Sequence, residues 1–312
     1  MKLTALAGGV GGAKLVDGLA QVLNPQDLTV VVNTGDDFTH FGLRICPDLD
    51  TVCYTLAKLV NPVSGWGRID ESWRAIKAVE TLGGPTWFNL GDIDLGTHLE
   101  RTRRLQSGQL LSQITREFCQ AWGVEVNVIP MTDGAAATTV ITDSEGDLPF
   151  QEYFVHRQCQ PRVTGFRFEG IQDVQPAPGV IKAIQAADCI VFCPSNPWVS
   201  IDPILSVPGI RQAVASRPLV AISPLVQGQA LKGPAAKMYR ELGIKPSAKA
   251  VAQHFKELLD GFILDTSDQA EIEEISRWGI ISLAADIIMR SGEDRRRLAF
   301  ETVKFCELLV RR

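Results

Sequence analysis

The sequence has 312 residues, of which 45% are hydrophobic and 21% charged, and its formal net charge is −5. This composition is that of an ordinary globular protein with a sizeable core. The negative charge without a long basic stripe argues against a nucleic-acid partner, and no run approaches the roughly 18 apolar residues of a membrane span. The seven cysteines form no Cys-x-x-Cys pair, so we expect reduced core cysteines in a cytoplasmic protein.

The first part of the chain alternates between strand and helix. Continuous apolar residues predict strands at Lys2 to Ala7 and Leu28 to Val32, and helical periodicity predicts a helix over Ala13 to Leu23. Continuous apolar strands that alternate with helices indicate an α/β fold, with a mostly parallel sheet and helices on both faces. Ligands of such sheets bind at the carboxyl ends of the strands.

The next stretch, about residues 48–122, is mostly helical and is predicted to be a helical insert that covers the site. Strands return at Val124 to Ile129, and two more, Thr138 to Thr142 and Leu148 to Val155, predict an antiparallel hairpin added to the main sheet. The alternation then resumes, with strands predicted at Cys189 to Cys193, Leu219 to Ile222 and Phe262 to Leu264 and a final helix near Asp294 to Val310. Because no repeat or long linker interrupts the chain, we predict one domain over residues 1–312.

Four carboxylates lie close together in the sequence, at Asp36, Asp37, Asp48 and Asp50, and the first two come soon after an apolar strand. Clustered carboxylates repel each other unless a cation or hydrogen-bond donors neutralise them, so the group predicts a divalent metal site that handles phosphate. For Asp48 alone, helix capping is the better explanation, and the helix dipole is an alternative explanation for Asp50. A cap does not explain two adjacent acids after a buried strand. We expect Asp36 and Asp50 to be the metal ligands.

A glycine-rich segment, Gly8 to Lys14, connects the first strand to the first helix. Glycines there let backbone N–H groups approach an anion at the helix N-terminus, which favours contact with a phosphate or nucleotide. The segment is not a dinucleotide fingerprint, since Lys14 stands where the third glycine is needed, and not a Walker loop, since Leu15 follows the lysine. A tight strand-to-helix turn without a ligand is the alternative.

Two further segments place polar residues where a ligand could lie. Asp92, Asp94 and His98 stand at the start of a predicted helix, which an Asp cap with a surface histidine explains equally well. Ser195 and Asn196 follow the strand that begins at Cys189, and a serine also follows the next strand, although turn chemistry alone explains such residues. Their recurrence at one edge of the sheet favours a nucleotide cleft.

Taken together and in this order, the segments resemble the 2-phospho-L-lactate transferase family, which builds the deazaflavin coenzyme F-420. The resemblance runs from Leu6 to about Asp268 and includes six collinear motifs, which are more specific together than any one alone. They are Gly8-Gly9-x-Gly11-Gly12-Ala13-Lys14, Asn33-Thr34-Gly35-Asp36-Asp37, Ile45 to Thr51, Leu90-Gly91-Asp92-x-Asp94-Leu95-x-Thr97-His98, Phe150-Gln151-x-Tyr153-Phe154-Val155 and Pro194-Ser195-Asn196-Pro197-x-x-Ser200-Ile201-x-Pro203-Ile204-Leu205.

The resemblance implies a Rossmann-like α/β fold, a homodimer and a transferase. The enzyme would move a 2-phospho-L-lactyl or phosphoenolpyruvyl group from a GDP-linked donor to the ribityl hydroxyl of the deazaflavin Fo and release GMP. An enzyme assists such a phosphoryl transfer mainly by positioning the reactants and neutralising their charge. We therefore expect a Mg²⁺ ion bound by carboxylates. The implied metal-binding and catalytic residues are Asp36 and Asp50. The implied substrate-binding residues are Gly9, Gly11, Gly12, Lys14, Ser195 and Asn196 for the GDP part, and Asp50, Asn89, Thr97 and His98 for Fo.

Some residues depart from the family pattern, and two other functions fit part of the sequence. Asn89 stands where many members have Lys, and Ile93 stands where Arg or Lys is usual. A related gluconeogenesis-factor family of nucleotide-sugar-binding regulators shares the glycine loop but continues its acids with Gly-Gly-Ser-Ser, where this chain has Phe38-Thr39-His40. A dinucleotide-dependent oxidoreductase would need the missing third glycine. The motifs do not tell the phospholactyl from the phosphoenolpyruvyl donor. The two differ in a methyl or methylene group, which a protein discriminates by the shape of its pocket rather than by a motif.

Overall fold

The structure is a computed structural model that describes residues 1–311. Its strands are β1 (Leu3–Ala7), β2 (Leu28–Val32), β3 (Phe38–His40), β4 (Leu43–Ile45), β5 (Asn127–Pro130), β6 (Ala137–Thr142), β7 (Asp147–Pro149), β8 (Val163–Glu169), β9 (Cys189–Phe192), β10 (Leu219–Ile222), β11 (Leu225–Val226), β12 (Gln229–Ala230), β13 (Gly261–Asp265) and β14 (Ile281–Ala285). Its α-helices are α1 (Gly9–Val22), α2 (Pro47–Leu56), α3 (Arg74–Thr81), α4 (Asp92–Gln106), α5 (Leu111–Ala121), α6 (Val180–Ala186), α7 (Asp202–Ser206), α8 (Ile210–Val214), α9 (Ala235–Glu241), α10 (Ala248–His254), α11 (Ile272–Ser276) and α12 (Gly292–Val310).

Over the described residues, the main sheet has seven strands in the order β14-β13-β10-β9-β1-β2-β5, and every neighbouring pair is parallel. From β1 the chain moves outward to β2 and β5, then returns to β9 on the other side of β1 and moves outward the opposite way. The strand order therefore reverses between β1 and β9. In doubly wound sheets, ligands bind in the crevice outside the carboxyl ends of the strands at this reversal.

Helices cover both faces of the sheet. Successive residues of a strand point to opposite faces, so a continuously apolar strand contributes side chains to the core on each side. Leu6 and Val31 join one core, which includes residues of α6 to α10, and Ala5 and Val30 join the other, which includes residues of α1, α2, α5 and α12. The predicted α/β, Rossmann-like fold is thus confirmed.

The predicted hairpin forms, but its placement was wrong. β6 pairs antiparallel with β7, as expected, and also with β8 on its other edge, so the three strands make a separate sheet. The partner that the hairpin gains is thus β8, which lies far along the chain, and none of the three strands pairs with the main sheet. The second predicted strand was also too long, because β7 ends at Pro149 and residues Glu152–His156 form a π-helical turn.

The helices α2 to α5 occupy residues 47–121, which is the stretch predicted to be a helical insert. The single-domain organisation over 1–312 stays a prediction. All seven cysteines are free thiols. Among residues 1–311, no helix is both long and apolar enough to cross a membrane.

Candidate functional site

Hydrogen bonds join the loops that follow β1 and β9 at the strand reversal. The backbone N–H of Gly8 donates to Oγ of Ser195 (3.2 Å), and the Ser195 hydroxyl donates back to the carbonyl of Gly8 (2.8 Å). A Cβ at Gly11 would lie 2.4 Å from the carbonyl oxygen of Pro194, and one at Gly12 would lie 2.7 Å from the Ser195 hydroxyl. Close packing of two loops therefore explains these two glycines.

Gly9 differs from its neighbours. Its φ angle is +65°, which favours glycine, and a Cβ there would meet no atom within 4 Å. The Gly9 N–H donates to Oδ1 of Asp48 (2.7 Å), at the start of α2, and Oδ2 of Asp48 accepts from the side chain of Asn33 (2.9 Å). The first turn of α1 is thus open to a ligand at Gly9 and is tied to the acids.

Asp36 and Asp37 follow β2 and are buried at 5% exposure each. Each has a buried carboxylate oxygen, Oδ1, that makes no hydrogen bond. Burial, reinforced by the charge of Asp48, raises the pKa of Asp36 well above its usual value. Burial raises the pKa of Asp37 to about 6, although the guanidinium of Arg44 (3.2 Å) opposes this, and it raises the pKa of Asp48 to about 6 against hydrogen bonds from Asn33 and Gly9. Arg44 balances the charge of Asp37, whereas Asp36 and Asp48 have no ion-pair partner among the described residues, although burial of an ionised carboxylate requires one.

Asp50 lies in a different environment, because the buried Arg101 of α4 binds both of its carboxylate oxygens. Nδ1 of His98 lies 3.8 Å from Asp50, and Nε2 of His98 lies 3.4 Å from Asp94. Although burial opposes it, the nearby His98 and the hydrogen bond that Tyr54 donates (2.7 Å) lower the pKa of Asp94. One ligand atom from each of Asp50, Asp94 and His98 lies within 4.8 Å of the others, so these three residues could hold a metal ion.

The expected metal pair is therefore divided between two groups of side chains. Asp36 interacts with Asp37 and Asp48, whereas Asp50 interacts with Arg101, His98 and Asp94. The orphaned Oδ1 atoms of Asp36 and Asp37, and the carboxylates of Asp36 and Asp48 that make no ion pair among the described residues, fit a divalent cation, which prefers oxygen ligands. The predicted roles of Asp36 and Asp50 as ligands stay predictions.

An aromatic cluster begins at the residue after Asp37. His40 lies 5.2 Å from Trp87 between ring centroids, and Phe38 lies 4.8 Å from Phe88, which precedes Asn89. His156 stacks on Trp87 at 5.2 Å with an interplanar angle of 17°. We call Phe38, His40, Trp87, Phe88 and His156 the aromatic cluster; its first members, Phe38 and His40, follow the strand-end acids in the chain.

The other predicted site residues have these positions. Lys14 donates to the carbonyl of Met289 (2.8 Å), and Asn196 accepts from the N–H of Trp198 (3.1 Å) and so caps the π-helical turn Pro197–Ile201. Asn89 is exposed, and Thr97 is buried on α4 beside His98. Their predicted contacts with GDP and Fo stay predictions.

Sequence reasoning missed Arg101 and Asn33. Arg101 lies 51 residues from Asp50, in a helix with charged neighbours, and no local pattern distinguishes it from a solvent-facing arginine. Asn33 directly follows β2, where a polar side chain at a strand end could have signalled it. It donates to Asp48 and to the carbonyl of Val199 (3.1 Å), so it joins the loops after β2 and β9.

A cavity of about 260 Å³ lies at the opposite edge of the sheet, against Leu3, Thr29 and Asn127. These residues begin or nearly begin their strands. Because ligands of doubly wound sheets bind at the carboxyl edge, we assign this cavity no function.

Comparison with known proteins identifies the family. The family model described as 2-phospho-L-lactate transferase CofD matches residues 3–295. The chain belongs to this family. Phosphoenolpyruvate transferase of Streptomyces griseus subsp. griseus is 41% identical to it, over 98% of this chain and 99% of the relative, and the phosphoenolpyruvate transferase of Thermobifida fusca is 43% identical, over 86% and 87%.

The solved structure of protein BH3568 from Bacillus halodurans has a similar fold. It superposes with a TM-score of 0.66 at 15% identity and covers 97% of this chain and 99% of its own. A second structure of that protein, described as a member of the UPF0052 family, gives the same TM-score at 16% identity. At this identity the likeness supports the fold of this CofD-family chain and nothing further.

Proposed function

We propose that this protein transfers a phosphoenolpyruvyl or 2-phospho-L-lactyl group from a GDP-linked donor to the ribityl hydroxyl of the deazaflavin Fo, in coenzyme F-420 biosynthesis. The acceptor oxygen forms a bond to the phosphorus next to the three-carbon acid, the bond from that phosphorus to GMP breaks, and the hydroxyl proton passes to a base. GMP leaves with the bridging oxygen.

The observation that carries the proposal is the group of buried carboxylates at the strand reversal. Asp36, Asp37 and Asp48 lie where doubly wound sheets bind ligands, and burial raises the pKa of each. A phosphate donor that arrives with Mg²⁺ would supply positive charge to Asp36 and Asp48, which have no ion-pair partner among the described residues. Buried carboxylates without such a partner are costly for a structural role alone.

The residues that would hold Mg²⁺ are Asp36, with its orphaned Oδ1, and Asp50. A carboxylate has about four acceptor positions, so Asp50 can bind Arg101 and still accept another partner. When bound, the ion neutralises charge on the transferred phosphoryl group.

The residues of the chain would position the two substrates. The glycine loop, which is open at Gly9, binds the GDP part together with Lys14 and Asn196. The turn that contains Ser195 fixes the glycine loop in place. The aromatic cluster stacks on the planar deazaflavin, while Asp50, Thr97, His98 and Asn89 lie toward its ribityl chain. Asp50 accepts the hydroxyl proton, and Arg101 holds its carboxylate in place.

The relatives favour the phosphoenolpyruvyl donor, since those at about 40% identity are phosphoenolpyruvate transferases. Incubation of the purified protein with Fo, Mg²⁺ and each GDP-linked donor, followed by mass analysis, tests the proposal. We expect Fo to gain the mass of the phosphoenolpyruvyl group with GMP formed in equal amount. Donor binding without any product from either donor would favour a nucleotide-binding regulator instead.

A further inference from the structure

A second cavity, of about 180 Å³, opens beside the first turns of α1. Val10 and Lys14 line it from α1, residues 60–63 and 65 from the loop after α2, Arg290 from just before α12, and Arg295 from the first turn of α12. Four of its lining residues are basic, Lys14, Lys232, Arg290 and Arg295, and none is acidic. We call it the basic cavity. It is a concentration of positive charge in a chain whose net charge is −5.

The positive charge in the basic cavity is poorly balanced. Within residues 1–311, only Arg295 of the four makes an ion pair, to Asp17 at 3.0 Å. The Nε of Arg295 is buried without a hydrogen-bond partner. Lys14 and Lys232 donate to backbone carbonyls, those of Met289 and Ser64. Burial is the largest cause that lowers the pKa of Lys14, the charges of Arg295 and Lys232 lower it further, and the charge of Asp294 opposes them.

We infer that the basic cavity binds a phosphate group. An oxyanion there would accept from the free N–H groups of lysine and arginine and relieve their repulsion, since these side chains recognise phosphate through charge-assisted hydrogen bonds. Its volume is below the roughly 300 Å³ at which pockets for drug-sized ligands begin, so it fits one group of a ligand rather than a whole nucleotide.

The phosphate has two possible sources, a nucleotide that extends from the main site or a free phosphate compound. Val10 lines the basic cavity and directly follows Gly9, whose N–H is bound to Asp48. A nucleotide bound at the glycine loop could therefore reach the cavity along the first turn of α1. The nucleotide source rests on the proposed function, in which Lys14 binds the GDP part, but the test is separate from the transfer reaction because binding is measured without Fo or turnover.

The test is calorimetric titration of the protein with pyrophosphate, GDP and guanosine in the presence of EDTA, so that a metal site does not contribute. The variant is Lys232→Gln with Arg290→Gln, at two exposed side chains at the cavity mouth. The matched control is Lys256→Gln with Arg116→Gln, at exposed positions outside the cavity. We expect pyrophosphate to bind wild type, the double variant to lose about tenfold or more in affinity, and the control to stay within about twofold.

GDP identifies the source of the phosphate. An equal loss of GDP affinity in the double variant, with weak binding of guanosine to both proteins, assigns the cavity to a nucleotide phosphate. Loss for pyrophosphate alone assigns it to a free phosphate compound. The inference is overturned if pyrophosphate and GDP bind the double variant as tightly as wild type, or if neither binds wild type. The single variants repeat the comparison if the double variant melts early.

Discussion

The backbone N–H of Gly9 donates a 2.7 Å hydrogen bond to Oδ1 of Asp48, and this contact joins the first turn of α1 to the first turn of α2. The other oxygen of Asp48 binds Asn33, which follows β2. One carboxylate thus connects the glycine loop, the second strand end and the start of the insert. The glycine loop and the strand-end acids form one unit through Asp48.

Asp48→Ala should therefore destabilise the protein. It leaves the N–H of Gly9 and one of the two amide N–H groups of Asn33 without an acceptor, and a buried unsatisfied donor costs about 1–3 kcal/mol, partly offset here by relief of the repulsion with Asp36. We expect a net loss of about 2 kcal/mol in the free energy of unfolding, measured by urea denaturation. Asp173→Ala, at an exposed position, is the control. Equal stability of the two variants would refute the role of this contact.

The pH dependence of stability should reveal the burial of Asp37. Its pKa is about 6 in the folded protein against 3.8 ordinarily, so the folded state binds the proton more tightly than the unfolded state. The stabilisation is complete below about pH 4 and is lost as pH rises through 6, by roughly 3 kcal/mol. Asp37→Asn does not titrate, so its stability relative to wild type should rise by that amount between pH 4 and 7.5. Urea denaturation across this range in EDTA measures it, and a constant difference would contradict the assignment.

The Asp50–Arg101 ion pair should be strongly coupled. Removal of one partner of a buried pair leaves an uncompensated charge, so Arg101→Met should cost about 3–5 kcal/mol in the free energy of unfolding. Adding Asp50→Asn should restore part of that loss, which a double-mutant cycle by urea denaturation measures. Arg116→Met, at an exposed position, is the control. Additive effects of the two substitutions would show that the pair is not coupled.

The sequence predicted the parts of the site that neighbouring residues determine. Gly9 after β1 and Asp36 after β2 were predictable, because apolar runs mark the strands and polar residues mark their carboxyl ends. Arg101 was not, because its pairing with Asp50 depends on how α4 packs against α2. The same limit applies to β8, whose pairing with β6 placed the predicted hairpin outside the main sheet. No motif determines which edge of a strand is covered.

The aromatic cluster should bind the acceptor. Stacking of a planar ring on an aromatic side chain is worth about 1–3 kcal/mol, so Trp87→Ala should weaken Fo binding by about fivefold to a hundredfold. Titration of Fo, followed by its fluorescence, measures the dissociation constant. Trp278→Ala removes an exposed tryptophan that is not in the cluster. If both variants bind Fo as wild type does, the cluster is not the acceptor site.

The most direct test of the account is the transfer rate of Asp36→Asn. Asp36 is buried with a raised pKa and an oxygen that makes no hydrogen bond, so the neutral amide should leave the metal-free protein at least as stable as wild type. The substitution also removes the negative charge of the carboxylate that would bind the cation. With Fo, Mg²⁺ and the GDP-linked phosphoenolpyruvyl donor, we predict that GMP release falls by about a hundredfold to a thousandfold, while Asp173→Asn stays near wild type. A folded Asp36→Asn protein that keeps a rate within about threefold of wild type would contradict the account.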